Sequence, residues 1–153
     1  MLLYLLFVAS VGVEGGYSLP AVGFHNIESG VTFSVFVNHH FKISDLSVYV
    51  DNSFYSGKNG SYSVSLYGVH CGFSKNNWRL SPLITFGADY LSRRIDGAGE
   101  DGFAFAYSLG FLLNFHSDNL RVYPLFCYKG LSDFKTHAGF IAIKLGVAYD
   151  FCE

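Results

Sequence analysis

The amino-acid sequence predicts an all-β protein, namely a closed up-and-down antiparallel transmembrane β-barrel of about eight strands. Apolar side chains recur at every second position through long segments, which is the period of a β-strand. Aromatic residues make up 18% of the chain, with 16 Phe and 11 Tyr, and there are 17 glycines. Aromatic rings suit a pleated surface and glycine suits tight connections, so this composition favours strands joined by turns.

Two segments show the alternation most clearly, residues 103–115 and residues 141–151. In the first, the apolar face consists of Phe103, Phe105, Tyr107, Leu109, Phe111, Leu113 and Phe115. In the second, it consists of Ile141, Ile143, Leu145, Val147, Tyr149 and Phe151. The intervening positions are mostly small or polar, so each segment predicts a strand with two different faces.

Weaker alternation predicts further strands in residues 31–38, 46–51, 61–66, 78–90 and 120–129. Residues 17–27 are an eighth candidate, with poorer alternation and a proline at Pro20. Turn-forming residues separate these segments, and the acidic, glycine-rich residues 95–102 are predicted to be a loop. Short and long connections then alternate in the second half of the chain, as expected when the two ends of a barrel face different compartments.

The apolar face is predicted to point outward, towards lipid. Several alternating runs reach the 9–11 residues that a tilted membrane strand needs, whereas soluble strands usually have about five or six. The other face mixes Gly, Ala and Ser with charges of both signs, which suits the crowded lumen of a small barrel. The residues predicted to carry charge into the lumen are Arg79, Asp89, Arg121, Lys129, Lys144 and Asp150. We expect them to pair and plug the barrel; the alternative is that they line a narrow path for ions or solutes.

Aromatic residues lie near the ends of the apolar faces, where the interfacial girdles of a membrane barrel belong. The predicted girdle residues are Trp78, Tyr90, Phe103, Phe115 and Tyr128. Pro82 and Pro124 lie inside predicted strands on the lipid face, where each removes a ladder donor. Bulges are therefore expected at both prolines.

The final strand carries a family resemblance. Its ending, Lys-Leu-Gly-Val-Ala-Tyr-Asp-Phe, resembles the terminal strand of bacterial outer-membrane barrels, and residues 78–90 and 107–128 resemble the OmpA/OmpX-type small barrels. The resemblance implies residence in the lipid bilayer of the bacterial outer membrane. It also implies that Tyr149 and Phe151 belong to the signal read by the barrel-assembly machinery. The acidic residues 96–102 are a candidate contact surface for an extracellular partner, and the alternative is an ordinary solvated loop. Cys152 and Glu153 depart from the pattern, since they follow the aromatic residue that normally comes last.

Residues 1–12 are predicted to be a signal peptide, with residues 13–153 forming a single barrel domain. The apolar run is too short for a transmembrane helix but suits the apolar part of a secretory signal, and Ser10 and Gly12 fit a small-x-small cleavage pattern. No Lys or Arg precedes the run, which a truncated start would explain. The alternative is an ordinary buried first strand. Cys71, Cys127 and Cys152 lack metal-ligand spacing, and their odd number leaves at least one thiol free.

Catalytic, cofactor and metal sites are not expected. The pair His39-His40 would point to opposite faces of a strand, and His116-Ser117-Asp118 are consecutive in a predicted turn, where a hydrolytic triad seldom assembles. Charged residues make up only 14% of the chain and its net charge is −2, so nucleic acid is not an expected partner. The predicted function is therefore a structural or surface-interaction, adhesin-like role in the outer membrane. The alternatives are a soluble secreted lipocalin-like barrel that binds an apolar ligand, and a membrane-embedded lipid acyl hydrolase.

Overall fold

The computed structural model describes residues 10–23, 26–58, 62–95, 98–132 and 136–151. These residues form nine strands: β1 (Ser10–Val22), β2 (Gly30–His40), β3 (Asp45–Ser56), β4 (Tyr62–Ser74), β5 (Leu80–Ile95), β6 (Ala98–Leu113), β7 (Phe115–Ser117), β8 (Leu120–Ser132) and β9 (His137–Asp150). Among the described residues, no helix is long and apolar enough to cross a membrane.

The strands close into a barrel. From β1 to β6 each strand pairs antiparallel with the next, β8 pairs with β6 and β9, and β9 returns to β1. The short β7 follows β6 after Asn114 and continues its pairing with β8, so β6 and β7 together occupy one position in the wall. The result is an eight-stranded, up-and-down antiparallel barrel with one extra short strand, which confirms the predicted fold class.

The two ends of the barrel differ in what they carry. Strand β1 starts and β9 finishes at the same end of the barrel, called here the terminal end. The turns after β2, β4 and β7 also lie at this end. The opposite end, called the loop end, carries the connections after β1, β3, β5 and β8.

The eighth strand begins earlier in the chain than residues 17–27. Strand β1 starts at Ser10, which pairs with Asn38 on one side and Asp150 on the other. Its ladder with β9 shifts register between Pro20 and Val22. Residues 10–12 of the predicted signal peptide thus form the start of β1, and residues 1–9 lie outside the described part of the chain.

The predicted loop at residues 95–102 is wrong. Strand β5 continues to Ile95 and β6 begins at Ala98, so most of the segment is a paired hairpin. Arg93 lies opposite Glu100, and Arg94 lies 3.3 Å from Asp101. Cross-strand pairs of opposite charge favour strand pairing in a segment whose glycines and acidic residues indicated a loop.

The bulges predicted at Pro82 and Pro124 are also wrong, because the strand register is unbroken through both residues. Pro82 pairs with Phe111 but lies beyond the end of the β4–β5 ladder. Pro124 pairs with Leu145 and lies opposite the gap between β6 and β7 on its other side. Each proline therefore has a paired neighbour on one side only, the situation in which a sheet tolerates proline.

The two faces of the wall are chemically distinct. Burial alternates residue by residue along the strands, as in β2, and most of the outward positions are apolar. The prediction is wrong for residues 62–66, because Val64 and Leu66 pack inside the barrel while Ser63 and Ser65 lie on the outer face. Val13, Val69 and Leu145, on three different strands, are 55%, 59% and 57% exposed. The buried positions include many Ser, Thr, Asp and Lys residues. This arrangement is that of a membrane barrel, with an apolar outside and a polar inside.

Candidate functional site

The lumen contains a cluster of paired charges built around Asp89. This residue is fully buried, and its Oδ2 atom lies 2.7 Å from Nζ of Lys129. Lys129 also approaches Oδ2 of Asp51, at 3.4 Å. Asp89 lies on β5, Lys129 on β8 and Asp51 on β3, so the ammonium group joins separate parts of the wall.

His70 lies between the same two carboxylates. Its Nε2 atom is 2.6 Å from Oδ1 of Asp89, and its Nδ1 atom is 3.4 Å from Oδ2 of Asp51. The ring has room because the neighbouring inward position is Gly68: a Cβ there would collide with the Asp89 carboxylate and lie 2.5 Å from Nε2 of His70. The glycine is therefore required by the close approach of these two side chains.

A second group of charges meets on the β1–β9 side of the lumen. Nζ of Lys144 lies 3.3 Å from Oε2 of Glu14 and donates a hydrogen bond to Oγ of Ser34 at 2.8 Å. The hydroxyl of Tyr123 donates to Oε1 of Glu14 at 2.9 Å. Lys144 also lies 4.0 Å from Oδ1 of Asp51, which connects this group to the first.

Together these contacts fill the middle of the barrel with a network, called here the lumen network, of Glu14, Asp51, His70, Asp89, Lys129 and Lys144. Buried charges are tolerated when they are paired and hydrogen-bonded, and this network pairs them across the barrel. A cavity of about 20 Å³ remains beside Asp51, Thr85 and Lys144, which is enough for roughly one water molecule. The arrangement is that of a plug.

A smaller polar group closes the terminal end. The buried Arg121 donates to Oδ1 of Asn114 at 3.3 Å, and its Nε atom lies 3.9 Å from Oδ2 of Asp150. Its guanidinium also stacks over the Tyr123 ring, 4.9 Å from the centroid. Nearby, His40 contacts Asp45 at 2.7 Å.

The structure brings five of the six predicted lumen charges inside: Asp89, Arg121, Lys129, Lys144 and Asp150. Arg79 is the exception. It lies in the turn before β5, its side chain is exposed, and its backbone oxygen accepts a hydrogen bond from Asn114. The alternation in residues 78–90 predicts a strand that begins at Trp78, but β5 begins only at Leu80, so the predicted lumen position of Arg79 is wrong.

Sequence reasoning did not assign Glu14, Asp51 and His70 to the site. Glu14 interrupts the apolar start of the chain, and its spacing from Gly12 and Gly16 fits a lumen-facing position of β1. Asp51 ends the alternating residues 46–51, which do not show what it pairs with. His70 lies beyond the predicted strand at residues 61–66, whereas β4 extends to Ser74.

The predicted girdle residues lie outside the lumen, near both ends of the wall. Trp78 and Phe115, together with Tyr149 and Phe151 of the terminal strand, lie at the terminal end and are exposed. Tyr90 and Phe103 pack ring against ring nearer the loop end, with centroids 5.2 Å apart. Tyr128 lies towards the same end, where its hydroxyl contacts Nε2 of His137 at 2.9 Å.

The other residues considered for chemistry are dispersed. Ser117 shares the outer face of β7 with Phe115, whereas His116 lies opposite Arg121 on the lumen side and lines a cavity at the terminal end with His40 and Asp150. Asp118 follows in a turn at φ 50°. Cys71 is exposed and Cys127 is buried, and both are free thiols. Among the described residues, no group of three or more His, Cys, Asp or Glu side chains is arranged to hold a metal ion.

No protein-family model and no curated protein matches this sequence. Solved structures do match. Neisserial surface protein A is 15% identical, with 93% of this chain and 96% of that chain covered and a TM-score of 0.61. The N-terminal β-barrel domain of Pseudomonas aeruginosa OprF is 12% identical over 94% and 98% of the two chains, with a TM-score of 0.61. Ail, the attachment invasion locus protein of Yersinia pestis, is 17% identical over 95% and 100%, with a TM-score of 0.59. The chain therefore has the fold of the small bacterial outer-membrane β-barrels.

Proposed function

We propose that this chain resides in the lipid bilayer of the bacterial outer membrane and has a structural or surface-interaction, adhesin-like role, with its lumen plugged by side chains. The observation that carries the proposal is the inversion of polarity across the wall. Apolar side chains point outward along the long strands, while ion pairs occupy the middle of the lumen beside smaller clusters of buried apolar side chains. The fold shared with the barrels above supports the same location.

This inversion of polarity also distinguishes a membrane barrel from a soluble lipocalin-like barrel. A soluble barrel that binds an apolar ligand needs an apolar cavity and a polar outer surface. Here the centre of the barrel holds Asp51, Asp89 and Lys129, and the outside carries large exposed residues such as Val69 and Leu145. In water this surface would be a large contiguous apolar patch, which soluble monomers avoid.

The lumen network supports a structural role in preference to an acyl hydrolase or a channel. Its carboxylates are occupied by Lys129, Lys144 and His70, and the cavity beside Asp51 and Lys144 has a volume of only about 20 Å³. His116 lies at the terminal mouth of the lumen and Ser117 on the outer face of β7, so these two side chains point to opposite sides of the wall.

The loop end is proposed to face the exterior and the terminal end the periplasm. Cysteines introduced at Lys58 and at Asp118 lie at the two ends, in a background with Cys71, Cys127 and Cys152 replaced by alanine. A membrane-impermeant maleimide added to intact cells is expected to label the first and spare the second. Labelling at position 118 but not at position 58 would show that the terminal end, and not the loop end, faces the exterior.

The experiment that tests the membrane assignment compares the purified chain in buffer and in detergent micelles. We expect a compact β-form only in micelles, with faster migration of the unboiled sample on a gel. A folded, monomeric protein in buffer without detergent would overturn the assignment, because the exposed apolar face would then be stable in water.

A further inference from the structure

The turns after β2 and β4 place three cationic residues close together at the terminal end. Lys42 lies in the first turn, Lys75 lies in the second turn, and Arg79 lies just before β5. The ammonium group of Lys75 donates a hydrogen bond to the backbone oxygen of Lys42 at 2.9 Å, which joins the two turns. These three residues are called here the basic cluster.

The protein does not neutralise the basic cluster. Residues 41–44 and 75–79, which form the two turns, contain no acidic residue. Within the described part of the chain, none of the three cationic side chains forms an ion pair, and those of Lys42 and Arg79 are exposed. Asp45, at the start of β3, is buried and contacts His40 at 2.7 Å. The cluster therefore presents positive charge outward.

Apolar side chains accompany these charges at the end of the lipid-facing wall. Trp78 directly precedes Arg79 and is exposed, and Phe41 and Ile43 flank Lys42, with Ile43 87% exposed. Exposed aromatic residues at the end of a barrel wall mark the membrane interface. Long cationic side chains at this depth can keep their charged ends among the lipid headgroups.

Hydrogen bonds fix the second turn against the neighbouring strand. The backbone N–H of Trp78 donates to the backbone oxygen of Lys75 at 2.9 Å. The side-chain amide of Asn114 donates to the backbone oxygen of Trp78, and its backbone N–H donates to that of Arg79, both at 2.8 Å. The cationic residues are thus presented on an ordered turn, which lowers the entropy lost when a ligand binds.

The other side of the terminal end has the opposite charge. Asp118 lies in the turn between β7 and β8, and Asp150 is the last residue of β9. Arg121, near the start of β8, is 1% exposed and stacks over the Tyr123 ring. An anionic group at this end of the barrel is therefore attracted to the turns after β2 and β4 and not to the β8–β9 side.

We propose that the basic cluster, together with Trp78 and Phe41, binds the headgroup of an anionic phospholipid in the leaflet at the terminal end. The cationic side chains contact the phosphate, and the two rings lie against the adjoining part of the acyl chains. Clusters of Lys and Arg beside membrane-spanning segments bind anionic lipids in this way. A lipid suits the site better than an acidic protein does, because the cluster continues the apolar wall at Phe73 and Leu80. This inference rests on the proposed function, since it requires the wall to lie in a bilayer.

The test uses the fluorescence of Trp78, because the single tryptophan of the chain lies within the proposed site. The full chain is refolded in phosphatidylcholine vesicles that contain an equal minor fraction of a brominated lipid, either phosphatidylglycerol or phosphatidylcholine. The bromine atoms are on the acyl chains near the headgroup. We expect stronger quenching by the phosphatidylglycerol, corresponding to about fourfold higher occupancy, and loss of this preference at high salt.

Protein variants locate the preference. Lys42→Gln and Arg79→Gln are each expected to reduce it to about twofold, and the double variant to abolish it. Lys58→Gln makes the same charge change at the loop end and should leave it unchanged. Trp78→Phe/Tyr149→Trp moves the probe to an exposed position of β9 at the same end, where we expect equal quenching by the two lipids.

Equal quenching of Trp78 by the two brominated lipids would overturn the lipid site but leave the membrane assignment intact, because the probe would still contact lipid. A preference that survives the double variant, or one of equal size at Tyr149→Trp, would also overturn the site. Quenching by neither lipid, in a chain that is folded in buffer without detergent, would refute the membrane assignment itself.

Discussion

The Nε2 atom of His70 lies 2.6 Å from Oδ1 of Asp89, and the other carboxylate oxygen of Asp89 lies 2.7 Å from Nζ of Lys129. The fully buried carboxylate of Asp89 thus contacts side chains of two other strands, His70 of β4 and Lys129 of β8. This relationship makes Asp89 the residue on which the lumen network most depends.

Replacing Asp89 by alanine is expected to destabilise the folded barrel by roughly 3–5 kcal/mol, because Lys129 is left buried without its nearest counter-charge. The measurement is equilibrium urea unfolding in lipid vesicles. Arg79→Ala is the control, since that side chain is exposed and its loss should change stability by no more than about 0.5 kcal/mol. The double variant Asp89→Leu/Lys129→Met should recover much of the loss. Equal effects of Asp89→Ala and Arg79→Ala would contradict the network.

Gly68→Ala is expected to cost about 1–3 kcal/mol, because the added Cβ collides with the Asp89 carboxylate and displaces the His70 contact. Gly15→Ala is a matched control on β1, where a Cβ would meet no atom within 4 Å. Both variants can be compared by the temperature at which the fast-migrating gel form is lost. Identical temperatures for the two would show that the space beside Asp89 is not needed.

Trp78 provides a probe of depth, since it is the single tryptophan of the chain and lies exposed at the terminal end. In vesicles its fluorescence should be quenched most by lipids brominated near the headgroup, as expected for a girdle residue. A Trp78→Phe/Ile84→Trp variant moves the probe to an outward position of β5 and should shift the strongest quenching to deeper bromines. Quenching of both positions by aqueous iodide would argue against a lipid-facing wall.

Phe151→Ala is expected to lower the amount of assembled barrel in cells while leaving the stability of the refolded protein nearly unchanged. Phe151 is exposed and packs on Tyr149, with ring centroids 5.3 Å apart, so its loss removes little from the interior. Phe115→Ala is the matched control, because it removes an exposed ring at the same end outside the terminal strand. Equal assembly of the two variants would remove the case for Phe151 as part of an assembly signal.

The tip of the β5–β6 hairpin is expected to loosen in acid. A hydrogen bond from Ser92, together with the nearby Arg94 charge, holds the pKa of Asp101 below its ordinary value of 3.8. The stabilising contribution is therefore complete above about pH 4 and is lost as the pH falls through the lowered pKa. The protection factors of the Ser92 and Asp101 amides in micelles, corrected for the intrinsic pH dependence of exchange, should fall over that acidic range. In Asp101→Asn the exchange should be fast already at neutral pH, and an unchanged profile would contradict the role of the carboxylate.

The sequence by itself determined most of the strands and, outside residues 62–66, the direction of their apolar face, because alternation of apolar residues is a local property of each strand. It also placed Asp89, Lys129 and Lys144 on the polar face. The sequence pattern did not determine where strands end. The hairpin at residues 95–102 includes the cross-strand pair of Arg93 and Glu100, and the break between β6 and β7 lies opposite Pro124 of β8.

Only the tertiary structure decided which charges meet. Lys144 and Glu14 are separated by 130 positions in the chain, and His70 meets Asp51 and Asp89 from two neighbouring strands. Their contacts follow from the register of the ladders and from the closure of β9 onto β1, neither of which is recorded in a local pattern. Arg79 is a further contact that the sequence pattern could not predict. It lies one residue before β5, and the alternation of apolar residues does not show where strand pairing begins.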